Sequence, residues 1–277
     1  MTAVNQEAGG ERLLDAATRA AAESFGPRLI AAYALGSLVH GGFNPLVSDV
    51  DLALLLEGPL VPSDAEKVAG LKQTLVAAKL PLADRLSTFW ADRGTIGQPD
   101  SGGRFPPLDV LDLLLHGRLL AGRESREGVV APSHAQLVIG GVRFALEILR
   151  SENDVRALRK PALLVDSGVR RLTKRVLFPV RFLFTARTGR IGRVELAVEH
   201  YQSFGKPALS LVQEAMRWRQ TPPADPAMTL PLLDAHLLPL YEELIRDHVE
   251  RMVELGQAPL AAELRKWGAE LGINYLP

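Results

Sequence analysis

The sequence predicts an α+β fold: a small mixed β-sheet head in the first half, then an all-α helical bundle in the second. Three observations lead there. Strand-length apolar runs bounded by Gly and Pro are confined to the first 130 residues. From Pro132 onward the apolar residues recur at helical spacing, and the breaks fall at Gly and Pro. Between the two lies a polar, charged stretch from Arg123 to Val130, which sets the domains at 1–130 and 131–277.

The elements follow in order. Residues 1–10 read as a disordered lead-in. Leu13, Leu14, Ala17, Ala21 and Phe25 share a helical face over 11–25, and Gly26-Pro27 stops it. An apolar strand over 29–35 ends at Gly36-Ser37. A connection with Gly41, Gly42, Asn44 and Pro45 leads to Ser48 and a second strand, 49–56, closed by Glu57-Gly58-Pro59. Ser63-Asp64-Ala65-Glu66 has the capping-box pattern and opens a helix to about Lys79. Residues 82–90 read as a third strand. A Gly/Pro-rich loop over 93–107 follows; long loops in compact domains are often functional. Pro107 suits the first position of a helix running through His116 to Leu120, closed by Gly122. Further helices are expected over 134–151, 155–188, 193–204, 206–220, 231–256 and 258–271. The second of these is expected to break at Pro161 and kink at Pro179.

Composition narrows the function classes. The chain has 277 residues, 32 basic and 32 acidic, so bulk attraction to nucleic acid or to a membrane is not indicated. It has no cysteine, which excludes disulfides and thiolate metal sites. No signal-peptide pattern and no apolar run of membrane-spanning length occurs, and a cytoplasmic protein is expected. The six histidines are scattered, with no His-Glu-x-x-His, and there is no Gly-x-Ser-x-Gly elbow. His40, in the loop after Gly36-Ser37, is placed to touch a nucleotide, but a structural or solvent-facing role is the preferred reading.

The chemistry concentrates at Gly36-Ser37 and Asp49-Val50-Asp51. Along a strand, Asp49 and Asp51 share one face while Val50, Leu52 and Leu54 share the other. Two neighbouring carboxylates at the head of a buried strand repel unless a cation sits between them. Oxygen-only ligands suit Mg²⁺, which keeps waters and phosphates in its shell. Glycine lets backbone approach a phosphate closely, and serine adds a hydroxyl and an N–H. The residues alone therefore indicate a metal–phosphate site.

Gly-Ser at the end of one strand, eleven residues to Asp49, and Asp-x-Asp opening the next strand together resemble the nucleotidyltransferase superfamily that includes DNA polymerase beta. Within it the chain looks most like the streptomycin/spectinomycin (aminoglycoside) adenylyltransferases. Arg104-Phe105-Pro106-Pro107 before a helix is similar to that family's Arg-aromatic-Pro, and Thr188-Gly189-Arg190-Ile191 to its Thr-Gly-basic-Ile turn. The helices from Val194 and around Glu214 to Arg219 match those that follow the turn. The resemblance runs from about residue 30 to 220.

The resemblance implies a Mg²⁺-dependent transfer of AMP from ATP to a hydroxyl of a small molecule, with two ions. Asp49 and Asp51 would hold metal, and Gly36 and Ser37 would seat the β- and γ-phosphates. A third carboxylate on the neighbouring strand would ligate metal or act as base. Asp84 and Asp92 share parity there, and Asp84, at the strand's entry, is preferred. Arg190, matching a Lys after Thr-Gly, would contact the triphosphate, with Arg193 and Arg219 as further candidates. Two departures bear on the acceptor: Gly103 stands where the family has Trp, and Asp84-Arg85 occupies the neighbourhood of the family's Glu.

Between Asp166 and Glu195 there are eight basic residues and no acidic one. This stretch reads as a triphosphate clamp, a nucleic-acid face or a solvated helix face. Phe178, Phe182 and Phe184 within it have the spacing of core residues. Two alternatives to small-molecule transfer stand beside it. One is a protein-adenylylating enzyme of antitoxin type; the other is a nucleotide- or RNA-binding module without catalysis. A monomer or homodimer is expected.

Overall fold

In the computed structural model, residues 3–98, 103–204 and 208–273 are described. The chain divides into two compact units, Met1–Pro132 and Ser133–Pro277.

The first unit is built on a four-stranded sheet of order β3-β2-β1-β4. β1 (Leu29–Leu35) and β2 (Val50–Leu56) are antiparallel, and the turn between them holds a single helical turn, α2 (Ser37–His40). β2 and β3 (Leu86–Asp92) are parallel and are joined through α3 (Pro62–Ala77). β1 and β2 are buried along nearly their whole length, which is why their sequences are almost uniformly apolar. One sheet face packs Ala32, Ala34, Val50, Leu52, Leu54 and Leu56 under α1 (Ala3–Phe25) and α3. The other packs Tyr33, Leu35, Ala53, Leu55 and Phe89 against Leu113 of α4 (Pro107–His116). Asp51 has the parity of Ala53 and Leu55, so it belongs to the α4 face.

Four local expectations are corrected. The lead-in is not disordered from its start: α1 begins at Ala3. The cap of α3 is not Ser63 but Val61, whose N–H donates to Asp64 at 2.9 Å with Pro62 at the first helical position. Asp64 is 1% exposed because it also receives both terminal nitrogens of Arg28, at 2.8 and 3.0 Å. The third strand starts at Leu86, after a 3₁₀ turn over Ala83–Arg85 entered from Leu82 at φ 67°. Finally, the helix from Pro107 stops at His116. Gly117 turns the chain into β4 (Arg118–Gly122), an edge strand antiparallel to β1. Its side chains stay partly exposed, so its sequence lacks the apolar run that marks β1 and β2.

The second unit is all helical: α5 (His134–Leu149), α6 (Glu152–Arg159), α7 (Pro161–Asp166), α8 (Val169–Thr188), α9 (Val194–Gln202), α10 (Leu209–Trp218), α11 (Leu230–Glu254) and α12 (Ala258–Leu271). The expected break at Pro161 is present, and Ser167-Gly168 adds a second one, with Gly168 at φ 90°. Pro179 lies inside α8. Phe182 and Phe184 are buried, and Phe178 and Phe182 pack against Phe144 of α5. Among the described residues no helix is long and apolar enough to cross a membrane.

Candidate functional site

The turn between β1 and β2 is shaped by its backbone. Gly36 adopts φ 70°, ψ −156°, a region open essentially only to glycine. It also has no room for a side chain: a Cβ there would overlap Asp51 Oδ2. Asp51 pairs across the sheet with Leu35 on one side and Ser87 on the other. The Gly-Ser turn and the Asp-x-Asp strand are thus brought into contact. Asp49 is half-buried, one residue before β2.

The approach to Asp49 is a folded turn. Asn44 Oδ1 accepts from the Leu46 N–H at 2.8 Å, and Ser48 Oγ accepts from the Asn44 N–H at 2.9 Å. The Arg85 guanidinium donates to the Pro45 carbonyl, which clamps this turn to the entry of β3. The positions singled out in the sequence as a Gly/Pro/Asn-rich connection therefore deliver Asp49 from a fixed frame.

A carboxylate not foreseen in the sequence stands here. Asp112 of α4 is 8% exposed, and its Oδ2 accepts from the Gly36 N–H at 2.7 Å. Its Oδ1 lies 4.0 Å from His40 Nε2, an ion-pair rather than hydrogen-bond distance, and has no hydrogen bond. The His40 ring also meets His116, one helical turn beyond Asp112, edge-on at 5.5 Å between centroids. The only hint in the sequence was the parity of Asp112 and His116 at i, i+4, which reads equally as the polar edge of a helix.

Gly36 is flanked by Asp112 on its N–H and by Asp51 on its Cα. With standard bond lengths the two carboxylates lie no more than about 8 Å apart. At an effective dielectric of 20 they repel by about 2 kcal/mol. A cation between them relieves that. Because the Gly36 N–H already donates to Asp112, it is engaged within the protein rather than directed at a ligand.

The structure brings neither Asp84 nor Asp92 beside Asp51. Asp84 precedes β3; its side chain is 75% exposed and lies 4.0 Å from the Arg85 guanidinium. In the parallel register Asp51 stands beside Ser87, so Ser87 shares its face, whereas the parity of Asp92 is that of Leu86 and Trp90 on the α1/α3 face, and Asp84 lies in the 3₁₀ turn before the strand. Asp92 pairs with Leu56 at the opposite end of the strand. Sequence parity related Asp84 and Asp92 to each other; only the register relates either to Asp51. Among the described residues no three His, Asp or Glu side chains form a metal-holding group.

The Arg104-Phe105-Pro106-Pro107 segment docks α4. Arg104 forms a backbone bridge with Trp90, donates to the Thr88 carbonyl at 3.2 Å and lies over the Phe89 ring. At Gly103 a Cβ would overlap the Trp90 carbonyl oxygen. The missing Trp is thus a backbone constraint of this chain.

In the second unit three members of the basic stretch, Arg171, Arg175 and Arg187, are paired with acids from other helices. Arg171 and Arg175 both reach Asp154 at 2.7 Å. Arg187 reaches Glu243 and Asp247 at 3.0 Å, and Tyr201 donates to Glu243 at 3.0 Å. Burial, with Glu243 beside it, pushes the Tyr201 phenol up. Part of the cationic run is therefore internally paired, and Arg190 and Arg193 are exposed near the Gly189 turn. Gly189 closes α8 at φ 66°, and the Arg190 N–H donates to Thr188 Oγ1 at 3.1 Å. Arg219 is partly buried on the end of α10, where burial lowers its pKa.

No protein-family profile matches the chain, and no curated protein matches it. Among solved structures it is similar to the spectinomycin adenyltransferase of Enterococcus faecialis, determined with ATP and spectinomycin. That likeness has a TM-score of 0.55 at 13% identity, and covers 82% of this chain and 98% of the other. At that identity the likeness speaks to the fold alone. The chain shares the fold of that adenyltransferase, a small mixed-sheet head followed in sequence by a helical domain.

Proposed function

We propose that this protein is a Mg²⁺-dependent nucleotidyltransferase that moves AMP from ATP to a hydroxyl of a small-molecule acceptor. The observation that carries the reading is the contact between Gly36 and Asp51, which puts the Gly-Ser turn against the Asp-x-Asp strand. The donor set fits the ion. Asp49 and Asp51 offer carboxylate oxygens, and nitrogen or sulfur ligands are not needed. A side chain at residue 36 would fill the space beside Asp51, so glycine keeps that approach open.

Asp49 and Asp51 would hold the metal, which when bound would supply charge neutralisation for the triphosphate and the leaving pyrophosphate. The chain's own residues do the rest. The folded turn over 44–48 fixes where Asp49 enters, and Asp112 fixes the Gly36 backbone. Catalysis of this type depends on positioning and charge stabilisation. The pairing of Arg171, Arg175 and Arg187 with internal acids weighs against an RNA-binding face.

The likeness to spectinomycin adenyltransferase makes aminoglycosides the first acceptors to test. Unfolding midpoints are measured with ATP, GTP, CTP and UTP, each with and without Mg²⁺, on wild type and Asp49→Asn. A ligand that binds only the folded chain raises the midpoint by mass action. A Mg²⁺-dependent rise with ATP that disappears in Asp49→Asn is expected. An equal rise in the variant, or none with any nucleotide, overturns the assignment.

A further inference from the structure

Asp51 has two neighbours across the sheet, Leu35 of β1 and Ser87 of β3. Leu35 is apolar and buried, so it offers no side-chain oxygen on that side. Ser87 carries a hydroxyl, shares the face of Asp51 and is half-buried rather than sealed. We propose that the Ser87 hydroxyl is a protein donor to the divalent cation held by Asp49 and Asp51. This rests on the metal–nucleotide reading given above.

Three observations carry the assignment. First, Asp51 and Ser87 form the last row of this sheet face before its polar end. The next row inward is Tyr33, Ala53 and Phe89, all buried with Leu113 of α4. An ion at Asp51 therefore has apolar packing beneath it and takes its other ligands from its own row, from Asp49 or from solvent. Second, the spacing suits a small cation. Neighbouring strands lie about 4.8 Å apart, and two oxygens in adjacent positions around Mg²⁺ about 3 Å apart. A carboxylate and a hydroxyl leaning toward each other from paired positions close that difference. Third, the Ser87 hydroxyl enters no hydrogen bond among the described residues. The other candidates are spent: Asp112 gives Oδ2 to the Gly36 amide and its Oδ1 is sealed, and Thr88 is buried on the opposite face.

A neutral donor suits this place physically. Asp49 and Asp51 together balance one divalent cation, and a third carboxylate beside them would add repulsion in the metal-free chain. A hydroxyl supplies an oxygen without charge, and Mg²⁺ takes serine hydroxyls beside carboxylates, waters and phosphates. The remaining positions stay open to triphosphate oxygens. With two charged donors and one neutral one, the chain alone holds the ion weakly, and ion and nucleotide bind together.

The test uses the full chain and two metal probes. In the first arm Mn²⁺ stands in for Mg²⁺, and Mn·ATP binding is measured by calorimetry with no acceptor present. Ser87→Ala is expected to weaken it by about three- to tenfold, since water replaces a neutral donor in part. Binding that needs Asp49 but is unchanged in Ser87→Ala overturns this proposal alone. Wild type that binds Mn·ATP no better than Asp49→Asn overturns the metal–nucleotide reading and this proposal together. In the second arm Cd²⁺ tests for a direct bond. The chain has no cysteine, so Ser87→Cys introduces its single thiol, and a sulfur-to-cadmium absorption band in the ultraviolet reports ligation at that residue. Ser63→Cys, exposed on α3, is the control for a lone surface thiol. The Ser87→Cys band is expected to saturate at a Cd²⁺ concentration at least about tenfold below that of the control, and to lose this advantage when Asp51→Asn is added. Equal saturation in the two cysteine variants overturns the proposal, as does an advantage that survives Asp51→Asn. Both Ser87 substitutions alter one side-chain atom of a half-buried residue, and either arm decides the question without the other.

Discussion

Replacing Gly36 by alanine tests the geometry on which the site depends. At φ 70°, ψ −156° a non-glycine residue is strained by about 1–3 kcal/mol. The added methyl would overlap Asp51 Oδ2, so either the Asp51 side chain or the turn must shift. A shift of the turn weakens the charged hydrogen bond from the Gly36 N–H to Asp112, worth about 1.5–3 kcal/mol. Together these put the loss of folding stability at about 2.5–6 kcal/mol. Urea unfolding reports it as a lower midpoint at unchanged slope. Gly70→Ala is the internal control. Gly70 lies within α3 with open space where a Cβ would go, so the same substitution stabilises there, by about 0.5–1 kcal/mol. A Gly36→Ala protein within about 0.5 kcal/mol of wild type would refute the argument, because neither the strain nor the overlap could then exist.

Other perturbations reach the rest of the frame. Burial raises the Asp64 pKa, but the Arg28 fork and the Val61 N–H outweigh it and hold the carboxyl below its usual range. A depressed folded value means this stability is present above the unfolded pKa, near pH 4, and is lost as pH falls further. Asp64→Asn should therefore flatten the acid limb of the stability curve below about pH 4, read by unfolding at stepped pH. His248 is fully buried on α11, with Nδ1–H donating to the Leu244 carbonyl at 2.9 Å, and burial pushes it down to about 4. Its contribution is complete above the unfolded value near 6.5 and lost as pH falls toward the folded one, at most about 3 kcal/mol. His248→Phe should abolish that slope between pH 6.5 and 4. Leu113→Ala, under the α4 face of the sheet, should cost about 2–5 kcal/mol in urea unfolding. As Leu113 is the neighbour of Asp112, it should also weaken Mg·ATP binding in calorimetry.

Apolar periodicity and its breaks determined much of this protein. A buried strand must be apolar on both faces, so β1 and β2 declared themselves, as did the helices after Pro132 whose ends carry Gly or Pro. Gly36, Ser37, Asp49 and Asp51 stood out because carboxylates at the mouth of such a strand are costly without a cation. β4 did not stand out, since an edge strand half in solvent needs no apolar run. Only tertiary structure decided what faces what. Register set Ser87 rather than Asp84 beside Asp51. Packing of α4 on the sheet brought Asp112 onto the Gly36 amide, 76 positions away. Helix packing supplied Asp154, Glu243 and Asp247 to a stretch that had looked uniformly cationic. Local sequence fixes a residue's own face and conformation; its partners depend on register and packing between segments far apart in the chain, which no local pattern encodes.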